Sequence, residues 1–254
     1  RYNMKVDTQL RDGVMDYFGY VSPSELLREA DRSNILQSDA EGVGFLRMKD
    51  TLGATWMLVQ VLMEFRKPAR AGQSVTMETT NHEDFGVAIL RRTSLQSHGK
   101  ELLRVSTKIL PVYLKERKVV PPEKLTSLWT LPAGAQGEDL ERIVLPENLT
   151  LFEEVPVRYR DCDMNGHMTA YRYLDLVCEA IGYWGEHLHL LRRMQIDYRK
   201  ECLPGDSLRI LHGAENGRHY VGGFKPDGTC SFAAWAEFAE EEYPSIRTPN
   251  PENN

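Results

Sequence analysis

Hydrophobic positions along this chain follow two periods in turn. At Ser22-Pro23-Ser24-Glu25 the residues form a capping box with Pro at the first helical position. Leu26, Leu27, Ala30 and Ile35 follow at helical intervals, and Gly42 supplies a stop. Over 56–65 the spacing becomes an alternation, with Met57, Val59, Val61, Met63 and Phe65 on one face, as in a half-buried strand. Further strands are expected over 73–81, 86–96 and 101–114, the last two joined at His98-Gly99.

The same order then recurs. A helix from about Ala170 carries Tyr173, Leu174, Val177, Ala180 and Ile181 and stops near Gly182. Strands are expected over 193–200, 206–213, 218–225 and 229–238. Lys225-Pro226-Asp227-Gly228 forms a hairpin turn in which Pro presets φ and Gly supplies a positive one. The repetition is also literal. Glu64-Phe65-Arg66-Lys67-Pro68-Ala69-Arg70-Ala71-Gly72-Gln73-Ser74-Val75 aligns without a gap on Asp197-Tyr198-Arg199-Lys200-Glu201-Cys202-Leu203-Pro204-Gly205-Asp206-Ser207-Leu208, at an offset of 197 − 64 = 133. Between the halves, 121–150 has a linker composition that includes Leu131-Pro132-Ala133-Gly134-Ala135-Gln136-Gly137.

An opening strand, one helix and a run of antiparallel strands are best buried by wrapping a curved sheet around the helix. Two such units can pair edge to edge and cover their open strands. The expected class is therefore α+β, a tandem (double) hotdog with antiparallel sheets each wrapped around a central helix. Residues 1–120 would form a substrate-holding N-terminal hotdog and 121–150 the linker. Residues 151–243 would form a C-terminal hotdog with the catalytic residues, and 244–254, with three prolines, a mobile tail.

Composition narrows the function classes. The chain has 254 residues, so with roughly three quarters of its surface buried on folding it needs no disulfide or metal staple. It has no long apolar run, which argues against a membrane protein. A formal charge of −6 disfavours nucleic acid as a partner. Cys162, Cys178, Cys202 and Cys230 form no C-x-x-C pair, so no zinc site or other cofactor is called for, and four scattered thiols suit a reducing, cytoplasmic setting. The chain begins at Arg1, which leaves room for a removed leader. A monomer or a homodimer is expected.

The halves differ where chemistry would be needed. Before its helix the second half reads Arg160-Asp161-Cys162-Asp163-Met164-Asn165-Gly166-His167-Met168, and the first reads Arg11-Asp12-Gly13-Val14-Met15-Asp16-Tyr17-Phe18-Gly19. In that alignment Val14 stands for Asp163, Asp16 for Asn165 and Phe18 for His167. In the strand repeat, Pro68 and Ala69 stand for Glu201 and Cys202. Asp163, Asn165 and His167 are two apart, so an extended backbone would turn them to one side. Gly166 permits a bend, and the N–H groups from Gly166 to Met168, at a helix N-terminus, could hold an oxyanion.

These residues resemble the acyl-ACP thioesterases of plants and bacteria, whose second hotdog carries a D-x-D-x-N-x-H-V-N-N stretch and a later Y-R-x-E-C. The likeness implies catalytic roles for Asp163, Asn165, His167 and Glu201, with Cys202 as a contested nucleophile. It also implies release of free fatty acid from acyl carrier protein bearing an acyl-phosphopantetheine arm. The family's paired Asn is here Thr169-Ala170. A thiolate leaving group of pKa about 8.5 needs little acid help, so the demand falls on base and oxyanion site. The preferred scheme uses Asp163 or Glu201 as base for water, with His167 orienting it or sharing the proton and Asn165 positioning water or carbonyl. The rival scheme is a Cys202–His167–Asn165 arrangement. Acyl-CoA hydrolysis and non-catalytic acyl binding are the alternatives. A hydratase is set aside because H-x-x-x-G-x-x-x-x-P begins at His82 and Gly86 but meets Arg at position 91.

Several neighbours receive plainer readings. Asp161 is expected to bond backbone in a turn, and Glu179 to serve the scaffold as readily as the chemistry, with Glu29 in a similar place. Cys162, Cys178 and Cys230 are read as small buried residues. Tyr171, Tyr173, Trp184 and Trp56 are read as core, and His187 and His189 as surface. The basic pairs at Arg91-Arg92, 115–118, Arg192-Arg193 and Arg199-Lys200 are ordinary strand ends or steering charges for an acidic carrier. Met57, Val59, Val61 and Met63 are a candidate acyl lining, and core packing explains them equally well.

Overall fold

The computed structural model describes residues 3–12, 15–16, 19–85, 88–130, 139–183 and 189–242. The first half comprises β1 (Asn3–Gln9), α1 (Pro23–Ala40), α2 (Phe45–Leu52), β2 (Ala54–Phe65), β3 (Ser74–Phe85), β4 (Ala88–Ser97) and β5 (Lys100–Tyr113). A short α3 (Pro122–Thr126) precedes the second half, which has β6 (Thr150–Pro156), α4 (Ala170–Ala180), β7 (His189–Tyr198), β8 (Ser207–Glu215), β9 (Arg218–Phe224) and β10 (Cys230–Glu242). The capping box forms, with Ser22 Oγ accepting the Glu25 N–H at 3.3 Å. Both hairpin turns form as well, with positive φ at His98, Gly99 and Gly228. Helices α2 and α3 were not visible in the periodicity, since each is too short to show a repeating face.

All ten strands form one sheet in the order β1-β3-β4-β5-β2-β7-β10-β9-β8-β6. From outer edge to seam the first half runs 1-3-4-5-2 and the second 6-8-9-10-7, the same topology twice. The seam is the antiparallel pair β2–β7, from Gln60 opposite Asp197 to Glu64 opposite Arg193. Leu62 faces Gln195, and 195 − 62 = 133. The sequence offset has become geometry: a local two-fold axis passes through this pair. Helices α1 and α4 touch each other, and one apolar core spans both halves, from Leu27 and Val105 to Leu174 and Phe232. No helix among the described residues is long and apolar enough to cross a membrane.

Three expectations are corrected. A register shift between Leu58 and Gln60 breaks the alternation of β2, so Val61 and Met63 are fully buried in the core while Met57 is not. Ile35 is 58% exposed. The later turns of α1 instead cover Arg91, which is 1% exposed and no strand-end charge. It pairs with Glu41 at 3.3 Å and donates to Asn34 O at 3.0 Å and to Ser38 Oγ. Burial depresses its pKa, and Glu41 opposes that shift.

The third correction concerns the linker. Its described end crosses the sheet and is fastened to the seam. Gln60 and Gln195 donate to Glu141 O at 3.2 and 2.7 Å. Asp197 accepts the Ile143 N–H at 2.7 Å and both glutamine side chains at 3.0 and 3.1 Å. Ile143 packs with Ala233 and Trp235. The linker's backbone, through Glu141 O and the Ile143 N–H, supplies the seam's buried polar side chains with partners. The tail lies outside the described residues.

Candidate active site

The antiparallel seam decides what meets at the end of β7. The start of β2 lies beside that end, and β5, antiparallel to β2, finishes at the same place. A cavity of about 480 Å³ opens there. The second half contributes Asp163, Asn165, His167, Met168 and Glu201; the first contributes Met57, Leu58 and Arg117. His167 Nε2 lies 3.5 Å from Glu201 Oε2. Arg117, in the turn after β5, donates to the other carboxylate oxygen of Glu201. Burial lowers the His167 pKa, the Arg117 charge lowers it further, and Asp163 opposes both. Burial and the Arg117 charge thus both favour the neutral imidazole over the imidazolium.

Arg117 was missed as a site residue because it lies in a basic run that reads as solvated surface. Strand order alone brings it across the seam. Its backbone is fixed in the turn, with φ of 55° and its N–H on Tyr113 O at 3.0 Å.

The loop before α4 is built on Asp163, whose Oδ1 accepts the N–H groups of Asn165 at 2.8 Å and His167 at 3.4 Å. Gly166, at φ 75°, donates its N–H to Asp163 O, and the Met168 N–H goes to Cys202 O at 2.9 Å. The Gly166 and Met168 amides, expected to face an oxyanion, thus have protein acceptors. Thr169 caps α4, accepting the Arg172 N–H at 3.4 Å. Thr169 thus supplies a cap where the family pattern has Asn. Ala170 lines the cavity and, as first residue of the helix, carries one of the N–H groups that a helix leaves without an internal acceptor.

Cys202 stands apart. It is 0% exposed, sits in the core, and its Sγ lies 3.0 Å from Ser231 Oγ. The other three cysteines are only partly buried, contrary to expectation. Asp161 is buried and accepts the Arg158 N–H at 2.8 Å, as its turn reading implied. Glu179 pairs with Arg172 on a different face, away from the cavity. Tyr173 is core, edge-on to Tyr198 and Phe232. Tyr171 donates to Asp31, and Trp56 packs on Trp129. Trp184, His187 and the side chain of His189 lie outside the description.

The geometry also corrects the alignment of the two loops. Asp16 N donates to Tyr20 O as Asp163 N does to His167 O, and Gly19, at φ 85°, repeats Gly166. The bridge Met15–Val21 repeats Cys162–Met168, and Val21 N–H to Ala69 O repeats Met168 N–H to Cys202 O. The offset is 163 − 16 = 147. Asp16 therefore matches Asp163 and Tyr20 matches His167. Phe18, outside the described residues, takes the number of Asn165. A chance Arg-Asp dipeptide, Arg11-Asp12 against Arg160-Asp161, had pulled the alignment two residues out of place. The offset drops to 133 in the strands because the first half has the longer helix and the added α2.

The fold is a tandem hotdog, and its cavity gathers a histidine, a carboxylate and a helix N-terminus beside the seam. Residues 146–227 match the family model described as the acyl-ACP thioesterase C-terminal domain. The fold is shared with an acyl-ACP thioesterase from Bacteroides thetaiotaomicron, at a TM-score of 0.80 and 16% identity, covering 93% of this chain and 98% of that one. It is also shared with the 12:0-ACP thioesterase from Umbellularia californica, at 0.77 and 15%, covering 93% and 97%. No curated protein matches the sequence.

Proposed function

We propose that the protein hydrolyses the thioester of a fatty acyl group carried on acyl carrier protein. The observation that carries this reading is the convergence of His167, Glu201, Asn165 and the α4 N-terminus on one cavity walled by Met57 and Leu58. With Nε2–H toward Glu201, His167 offers Nδ1 to an attacking water. Glu201 orients the ring and stabilises the imidazolium; Arg117 offsets the carboxylate charge. The Ala170 N–H and the Asn165 amide take the oxyanion, and the thiolate leaves unassisted. Asp163 builds the loop, as Asp16 does where there is no His. The base is thus His167 rather than either carboxylate.

The covalent route requires Cys202 to reach solvent-borne substrate from a fully buried position. Cys202→Ala is expected to keep turnover within about tenfold of the parent; loss of all turnover in a folded variant would restore the nucleophile reading.

The rim beside the cavity offers charges that an acidic carrier protein could meet. Lys49, Lys115 and Lys118 are exposed around a depression next to Arg117, suited to an acidic protein. Matched acyl-ACP and acyl-CoA substrates should give the higher kcat/KM with ACP, falling steeply with salt. A higher value with acyl-CoA would favour that substrate, equal values would overturn the carrier-protein preference, and no hydrolysis of either would leave acyl binding alone.

A further inference from the structure

The local two-fold axis creates a second cavity. At the end of β2, beside the start of β7 and the end of β10, lies a space of about 630 Å³. It is the counterpart of the hydrolytic cavity, position by position. Leu190 and Leu191 stand for Met57 and Leu58 at the offset of 133, and Phe65-Arg66-Lys67 for Tyr198-Arg199-Lys200. The loop beside it repeats the Asp-x-x-Gly turn with Asp16 and Gly19, and the helix that starts there is capped by Ser22 as α4 is by Thr169.

The chemistry, in contrast, has been removed at each point. Tyr20 replaces His167, Pro68 replaces Glu201, and Pro23, without an N–H, replaces Ala170. Part of the wall remains apolar, with Leu26, Phe65, Leu190 and Phe238, beneath a charged mouth. Charges at the mouth balance among the described residues: Arg66, Lys67 and Arg192 against Glu237, Glu240 and Glu241. Arg192 is already paired with Glu237. A free carboxylate would find no surplus cation there, whereas an uncharged pantetheine thioester brings no charge to be desolvated.

We propose that this cavity is a second, non-hydrolysing site for an acyl-pantetheine arm, so that one chain binds two acyl thioesters and hydrolyses one. The proposal rests on the thioesterase reading for the identity of its ligand. The probe is the S-alkyl-pantetheine thioether of the chain length hydrolysed fastest, titrated calorimetrically into the whole chain. Two equivalents are expected. Ala239 and Pro68 line this cavity, and Ala239→Trp and Pro68→Trp, which fill it, should each bind one equivalent with kcat/KM unchanged. Met57→Trp should also bind one but lose turnover. Binding of a single equivalent by the parent, or of two by both cavity-filling variants, would overturn the proposal. So would occupancy by the free fatty acid in place of the thioether. Two equivalents without hydrolysis would instead sink the thioesterase reading, and hydrolysis with one equivalent would sink only this one.

Discussion

His167→Ala is expected to lower kcat on acyl-ACP by about 10²–10⁴-fold with the fold intact, the usual contribution of a positioned base. The pH dependence gives a finer test. Burial and the Arg117 charge both disfavour the imidazolium, so the acid limb of kcat/KM should lie below the ordinary histidine pKa of about 6.5. In Arg117→Met the cation is gone and the protonated ring is less opposed. The His167 pKa then rises, and the acid limb moves to higher pH. A limb that stays in place would show that Arg117 does not act on the titrating group. A normal rate in His167→Ala would remove histidine from the mechanism altogether.

The second large effect is expected at the seam, far from any chemistry. Asp197 is 3% exposed and accepts from Gln60, Gln195 and the Ile143 N–H, with Arg199 3.7 Å away. Asp197→Ala takes the acceptor from the buried Ile143 N–H, leaves Gln60 and Gln195 with Glu141 O alone, and removes the charge beside Arg199. The expected loss is about 3–5 kcal/mol, a large part of the roughly 5–15 kcal/mol that holds a domain. Urea unfolding should show a lower midpoint with an unchanged slope. Asp197→Asn keeps one acceptor oxygen and should lose much less. Equal midpoints for parent and Asp197→Ala would mean that the linker and seam contribute little to stability.

The architecture was largely readable from periodicity because each half repeats one simple arrangement, an amphipathic helix and strands whose inward faces must be buried. The literal repeat at 64–75 contained the equivalence of the two seam strands, but which equivalent pair sits on the axis, Leu62 and Gln195, is set by their pairing in the sheet. Legibility failed where side-chain pattern and backbone pattern part. The shift at Leu58–Gln60 moves Val61 and Met63 into the core, and no residue there announces a bulge. Arg91 reads as surface because charge is normally exposed. It is buried because α1 brings polar partners down onto it.

The site was readable in part for a related reason. His167 and Asn165 stand in a compact motif, and Glu201 is tied to it through the strand repeat. Arg117 belongs to no motif; it reaches the cavity only because β5, β2 and β7 are neighbours. The oxyanion amides were misassigned because a run of N–H groups before a helix looks available until the turn that uses them is seen. The pairing of the loops was legible, and was misread: Asp-x-x-Gly followed by an aromatic or His, an apolar residue and Ser or Thr occurs in both halves.

The two-fold axis through Leu62 and Gln195 has a consequence for how such a protein can change over time. In a dimer of identical hotdogs, every substitution is made twice, and a residue that improves one cavity is forced on its twin. Joining the copies in one chain lifts that constraint. His and Glu can be kept on one side while Tyr and Pro settle on the other. The seam still demands near-identical backbones, so the side chains above it are free to part while the strands beneath stay matched.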